Sequence, residues 1–195
     1  MDLARLGQLT AEEARHYVER FEPRLSMPDP RIGMDLDPEA LSSGSTAHPG
    51  ALLLAGGRVD MLVTPPGGAS SVFVEGDLRV DGCLINDGHL LVAGDLVARD
   101  IYTQQYLVVL GEVRVGRYLG VDDGFGTRIV GDLHADDVVG YANHHLSLFG
   151  AMRCETYVDD EEHGREAVID VLARWGVPDA GYVDLAGARA VFSAR

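Results

Sequence analysis

Between Val72 and Asp95 the chain reads Val-Phe-Val-Glu-Gly-Asp, Leu-Arg-Val-Asp-Gly-Cys, Leu-Ile-Asn-Asp-Gly-His and Leu-Leu-Val-Ala-Gly-Asp, four hexads in succession. Gly76, Gly82, Gly88 and Gly94 stand six residues apart, and Val72, Leu78, Leu84, Leu90 and Leu96 keep the same step. On a longer scale Gly56, Gly76, Gly94, Gly111, Gly131 and Gly150 recur at intervals of 20, 18, 17, 20 and 19. A period of roughly 18 built from three hexads lets a chain wind into a three-sided β-solenoid.

Each hexad supplies a strand and a corner. Its first and third residues, such as Leu78 and Val80 or Leu90 and Val92, point to one side because strand side chains alternate. The residue between them, Arg79 or Leu91, points outward. Glycine at the fifth place tolerates the positive φ that a tight corner often requires. Three such units bring the chain back roughly 4.8 Å above its start, where the next strand can hydrogen-bond to it. Stacking then buries a column of Leu, Val and Ile that no single coil could bury.

One residue is skipped after Leu96, and the hexads resume at Ile101, Leu107, Val113 and Leu119, with Val109, Val115 and Val121 two places on. A polar excursion from Asp122 to Arg128 precedes Ile129-Val130-Gly131-Asp132-Leu133-His134-Ala135 and Leu146-Ser147-Leu148-Phe149-Gly150, while Leu52-Leu53-Leu54-Ala55-Gly56 reads as an earlier coil. The expectation is a mainly β protein, a β-helix of about six coils over residues 51–154. An antiparallel sandwich would explain the alternation, but not the unbroken six-residue phase.

The phrases Gly76 to Val80, Gly94 to Ala98 and Gly131 to Ala135, with Gly111-Glu112-Val113-Arg114-Val115 as a variant, resemble the bactofilins, bacterial cytoskeletal proteins. Similar Gly-Asp-Leu coils occur in bacterial proteins described as polymer-forming. The resemblance covers roughly residues 70–151 and implies a right-handed β-helix core and self-association. The chain departs from that pattern in its ragged coils and in the non-repeat segments at both ends. The left-handed hexapeptide acyltransferases match less well, because their rungs pair an aliphatic with a small inward residue, whereas Leu and Val here are both large.

Residues 1–22 read as one helix, with Thr10 as N-cap, Glu13 completing a capping box, and Ala14, Tyr17, Val18 and Phe21 on one face. Pro23 stops it, and a Pro- and Ser-rich linker runs to residue 50. Beyond residue 154 the period vanishes. Asp159-Asp160-Glu161-Glu162 reads as the acidic start of a helix whose Ala167, Val168, Val171, Leu172 and Trp175 form an apolar face. Gly176 and Pro178 end that helix, and the tail from Tyr182 to Arg195 shows no clear pattern. Three segments result: residues 1–50, a solenoid over 51–154 and a helical cap over 155–195. The helices at the two ends would cover the open coils.

The chain carries 31 acidic and 16 basic residues, a formal charge of −15. That excess disfavours a nucleic-acid partner and suits either solubility or a basic protein partner. No run of apolar residues is long enough to cross a membrane, and no leader-like segment stands at the start, so a cytoplasmic setting is expected. Cys83 and Cys154 have no metal-ligand spacing and read as buried thiols.

No nucleophile triad, phosphate loop, zinc pattern or dinucleotide fingerprint is present, so the reading is non-enzymatic, without cofactor or metal. Asp122, Asp123, His134, Asp136, Asp137, Asn143, His144 and His145 fall in the last coils and their insertions, where several could meet on one side. Asp122, Asp123, Phe125, Asp136, Asp137, Tyr141, His144 and His145 are the candidate partner-binding residues, carried on insertions at 122–128 and 137–145. Tyr102, Tyr106, Tyr118 and Tyr141 are a further candidate strip, since tyrosine favours interfaces. His89, beside a corner glycine, is expected at the surface. The expected function is a protein-interaction module, such as an immunity protein that neutralises a toxin. The alternatives are a polymerising bactofilin-like protein and a hexapeptide-type transferase using His134 or His144.

Overall fold

In a computed structural model of the chain the described residues are 7–8, 12–13, 16, 51–54, 56–64, 66, 71–121, 126–178 and 182–194. The strands stack in parallel, coil upon coil, and form a β-solenoid with three walls. The third wall holds β2 (Ala51–Leu54), β5 (Ser71–Val74), β7 (His89–Val92), β9 (Leu107–Val109), β11 (Gly126–Ile129) and β13 (His145–Leu148). The first and second walls share the long strands β6 (Leu78–Asn86), β8 (Leu96–Thr103), β10 (Val113–Val121) and β12 (Leu133–Tyr141). Each of these bends midway, its first half in the first wall and its second half in the second. At the start β3 (Gly57–Val59) and β4 (Leu62–Val63) pair with the two halves of β6. At the end β14 (Met152–Arg153) and β15 (Thr156–Asp159) pair with those of β12. Six stacked levels make about five full turns, against the six expected.

The glycine landmarks are one column. The amide of Gly94 donates to the Gly76 carbonyl, that of Gly111 to Gly94, and that of Gly131 to Gly111, each at 3.0–3.2 Å. The reason for glycine differs from the expected one. Among these corner residues only Gly56 has a positive φ, +93°. At Gly94, Gly111, Gly131 and Gly150 a Cβ would lie 2.4–2.7 Å from backbone atoms of the coil below, so close approach excludes any side chain. The following aspartate has its own task. Asp77, Asp95 and Asp132 each accept, through Oδ1, the backbone amide one coil on (Asp95, Glu112 and Ala151) at 2.8–2.9 Å. Gly-Asp-Leu is thus a stacking unit: contact, cap, core.

Inside, Val72, Leu78, Leu84, Leu90, Leu96, Ile101, Leu107, Val113 and Leu133 belong to one buried cluster. Each fully buried aliphatic side chain contributes about 1.5–3 kcal/mol. The expected phase fails at Leu119. Register places Leu84, Ile101, Tyr118 and Val138 in one column and Ile85, Tyr102, Leu119 and Val139 in the next. The inward residue is therefore Tyr118, while Leu119 points out of the second wall. The skip seen after Leu96 recurs at each later bend, and the coil of β6 is the exception, with a bulge between Val80 and Cys83.

That outward side of the second wall is not open. Cys83, Ile85, Tyr102, Leu119, Val121, Val139 and Val158 form a second buried cluster with Val168, Val171, Leu172, Trp175, Val177, Val183, Ala188 and Phe192. The covering residues come from α1 (Arg165–Arg174), α2 (Leu185–Ser193) and their connection. The apolar face expected for α1 is the one buried, and the helix ends in a Schellman turn. Val177 N donates to Leu172 O, Gly176 N donates to Ala173 O, and Gly176 has φ +92°. In the unassigned tail, α2 is capped by Asp184, whose Oδ1 accepts from Gly187 N at 2.9 Å. Asp159 does not start a helix as expected. It closes β15, and its Oδ1 accepts the Glu162 amide in a turn that precedes α1.

At the amino-terminal end, Glu12, Glu13 and His16 are helical, but Gly7–Gln8 forms β1, antiparallel to Leu52–Leu53 of β2. The single helix expected over 1–22 is thus interrupted by a strand that closes the edge of the third wall. Its proposed cap Thr10 and its apolar face lie outside the described residues, as does the linker to residue 50. Among the described residues no helix is long and apolar enough to cross a membrane.

Candidate functional site

The cluster read from the last coils does not assemble. Asp136 and Asp137 stand where β12 bends from the first wall to the second, whereas His144 and His145 stand where β12 passes to β13, at the opposite end of the second wall. Asp122, Asp123 and Phe125 lie outside the described residues. Asp136 and His145 are exposed. Asp137 serves the fold, because its Oδ2 accepts Trp175 Nε1–H at 2.8 Å and so ties α1 to the second wall. Tyr141 packs, half-buried, against the second cluster.

His144 is internal, 9% exposed. Ala142 and Asn143, both at φ 58°, turn the chain so that its ring enters the space beside Gly120. A Cβ on Gly120 would sit 2.2 Å from the imidazole Cδ2. His144 Nε2 lies 3.0 Å from the Tyr118 hydroxyl and 3.3 Å from the Thr127 hydroxyl, and Tyr118 donates to Thr127 at 2.5 Å. Burial lowers the imidazole pKa to about 4, so the ring is neutral at pH 7. Burial also pushes the Tyr118 hydroxyl well above its ordinary value. A neutral, largely buried ring held against two hydroxyls has the features of a packing group, though the residue also borders a cavity of about 190 Å³ lined by Tyr157 and Asp159. A transferase would need such an imidazole to face substrate, and the other candidate, His134, stands on a different wall. The aromatic strip is likewise lost, since Tyr102 and Tyr118 are both 1% exposed. His89 is half-buried, its ring 5.3 Å from that of Tyr106.

Similar polar ladders fill the coils before it. Asn86 Nδ2 donates to Thr103 Oγ1 and to the carbonyls of Gln105 and Tyr106, while its Oδ1 accepts from Thr64 Oγ1. On the second wall Asp100, 1% exposed, takes a two-pronged contact from Arg117 at 2.7 Å and a third bond from Arg99. Burial alone would push the Asp100 carboxyl up, but Arg117 and then Arg99 outweigh it and hold it below its ordinary value. The Arg117 guanidinium lies 4.9 Å from the Phe192 ring and 5.8 Å from that of Trp175. This ion pair, packed against Phe192 and Trp175, ties the helices to the wall.

Two other places have chemistry to offer. Asp159, Glu162 and His163 bring ligand-capable atoms within 4.8 Å of one another. The Asp159 carboxylate already accepts from Glu162 N and from the Tyr157 hydroxyl, which are contacts that build the turn. The first wall is different in kind. Its outward positions are Arg58, Arg79, Val97, Arg114, His134 and Arg153, one per coil and in register. The four arginine side chains are 56–68% exposed. Carboxylates flank them: Asp81 beside Arg58 and Arg79, Glu112 beside Arg114, and Asp132 near His134 and Arg153. A shallow groove of about 340 Å³ lies among Arg114, His134, Arg153 and Asp136, floored by Val115 and Ala135. Reading outward hexad positions as a column, as inward ones were read, would have found this ladder.

No family model, curated protein or solved structure matches the chain.

Proposed function

We propose that this chain is a non-enzymatic protein-interaction module, with toxin neutralisation as the first specific form to test. What supports it is the contrast among the walls. The second is sealed by α1 and α2. On the third, the outward residues Phe73, Leu91, Val108 and Arg128 are no more than 4% exposed. The first carries an outward arginine on four of its six coils, each more than half exposed. A regular, open and charged surface suits recognition of another protein more than turnover of a small molecule. Its test is purification of the tagged full chain from its native host, followed by reconstitution of any stoichiometric partner from pure components. A defined complex supports the reading. A chain that forms none, and instead turns over a small molecule, contradicts it.

A second reading, end-to-end assembly, has its own observation. Val63 in the first coil and Met152 in the last are each 39% exposed, two of the three large apolar residues so exposed among those described. The edges of β3 and β14 also face outward along the coil axis, where a second copy could continue the stack. Filaments formed from pure protein without nucleotide, seen by electron microscopy, would favour this reading over the first.

A further inference from the structure

The overall charge of −15 suggests a basic partner, but much of that acid has internal work. Asp77, Asp95 and Asp132 cap backbone amides of the next coil. Asp100 holds Arg117, Asp137 holds Trp175, Asp184 caps α2, and Asp87 pairs with Arg189. The arginines of the first wall have no such task. They stand on the outer side of the wall, and their ion pairs are exposed, so little of the fold rests on them. The chain contains no lysine, so every fixed positive charge of the ladder is a guanidinium, whose planar fork fits a carboxylate.

We propose that this ladder docks an extended acidic segment of a partner protein, its carboxylates set over Arg79, Arg114, His134 and Arg153. The proposal rests on the interaction-module reading and names the chemistry of the partner. From Arg58 to Arg153 the ladder rises about 24 Å at the ordinary strand spacing, the length of about seven extended residues. The groove floored by Val115 and Ala135 gives the segment a seat in the last coils. A nucleic acid fits less well for two reasons. The basic stripe is a single residue wide, and none of its six rungs is a Phe, Tyr or Trp on which a base could stack.

The test is fluorescence anisotropy with the full chain and a labelled peptide of about ten residues alternating Glu and Thr. Parallel probes are its Gln-for-Glu counterpart and a single-stranded oligonucleotide of equal charge. The account expects salt-sensitive binding of the Glu peptide, at least about tenfold weaker binding of the Gln peptide, and a similar loss in an Arg79→Gln/Arg114→Gln/Arg153→Gln variant. Circular dichroism and unfolding midpoint should show that variant folded, because all three side chains are exposed. Equal binding of the Glu and Gln peptides, undiminished binding by the variant, or tighter binding of the oligonucleotide would overturn the proposal. If a native partner is found and the triple variant still binds it, the ladder inference fails while the interaction-module reading survives.

Discussion

The first and second walls are built from the same four long strands, yet they differ in every outward residue. On one half of each strand the outward positions read Arg79, Val97, Arg114 and His134; on the other they read Ile85, Tyr102, Leu119 and Val139. The backbone pairs in the same parallel way on both sides of the bend, so the ladder of hydrogen bonds does not decide which wall is interior. The side chains do. Apolar outward residues recruit two helices and turn a surface into a second core, whereas arginines leave the other half wet.

That contrast can be broken most severely by removing residues 160–195. The bared Ile85, Tyr102, Leu119 and Val139 should drive self-association, visible as a rise in light-scattering mass; a soluble monomer would contradict the account. Next in size is Phe192→Ala, which removes a fully buried ring from the second cluster and from beneath Arg117. Denaturant unfolding should show a loss of about 3–5 kcal/mol.

His144 sharpens the comparison through pH. Its folded pKa of about 4 lies below the ordinary 6.5, so the native state binds the proton less readily than the unfolded chain. Its contribution is fully present above pH 6.5 and is lost as pH falls from there towards 4, by about 3 kcal/mol in all. Unfolding curves across that window should show the decline, and His144→Gln should flatten it. At the small end, Arg79→Gln on the first wall should leave the unfolding midpoint essentially unchanged, since it disturbs only an exposed ion pair with Asp81. A loss as large as that of Phe192→Ala would mean the two walls are not distinct.

The coil itself was legible because inward residues obey a simple alternation and glycines mark one corner. What spacing could not supply was the glycines' reason. Close approach of stacked backbones and a left-handed corner leave the same mark in a sequence, and only geometry separates them. The covered wall was partly written in the runs Cys83-Leu84-Ile85 and Val138-Val139, which are apolar on both sides as a strand buried on both faces must be. Counting in strict sixes hid this, because the residue dropped at the bend of β10 moved Leu119 from the inside to the outside. The helix α2 escaped notice because it is only nine residues long and Gly187 interrupts its Leu and Ala run, so it depends on Asp184 and on the wall beneath it. The candidate site failed for another reason. Asp137 and His144 are neighbours in sequence, but a three-sided coil sends residues seven apart to different corners.

The asymmetry of the two walls is tested most directly by the native thiol Cys83. It lies on the outer side of the second wall, 0% exposed beneath the helices, with its pKa pushed up to about 12 chiefly by burial. Timed iodoacetamide labelling of an Arg114→Cys variant, read by mass spectrometry, compares the walls in one molecule. The account predicts rapid modification at position 114 and none at Cys83 until the protein unfolds. Modification of both at similar rates in the folded chain would show that the second wall is open to solvent, and the account would fall.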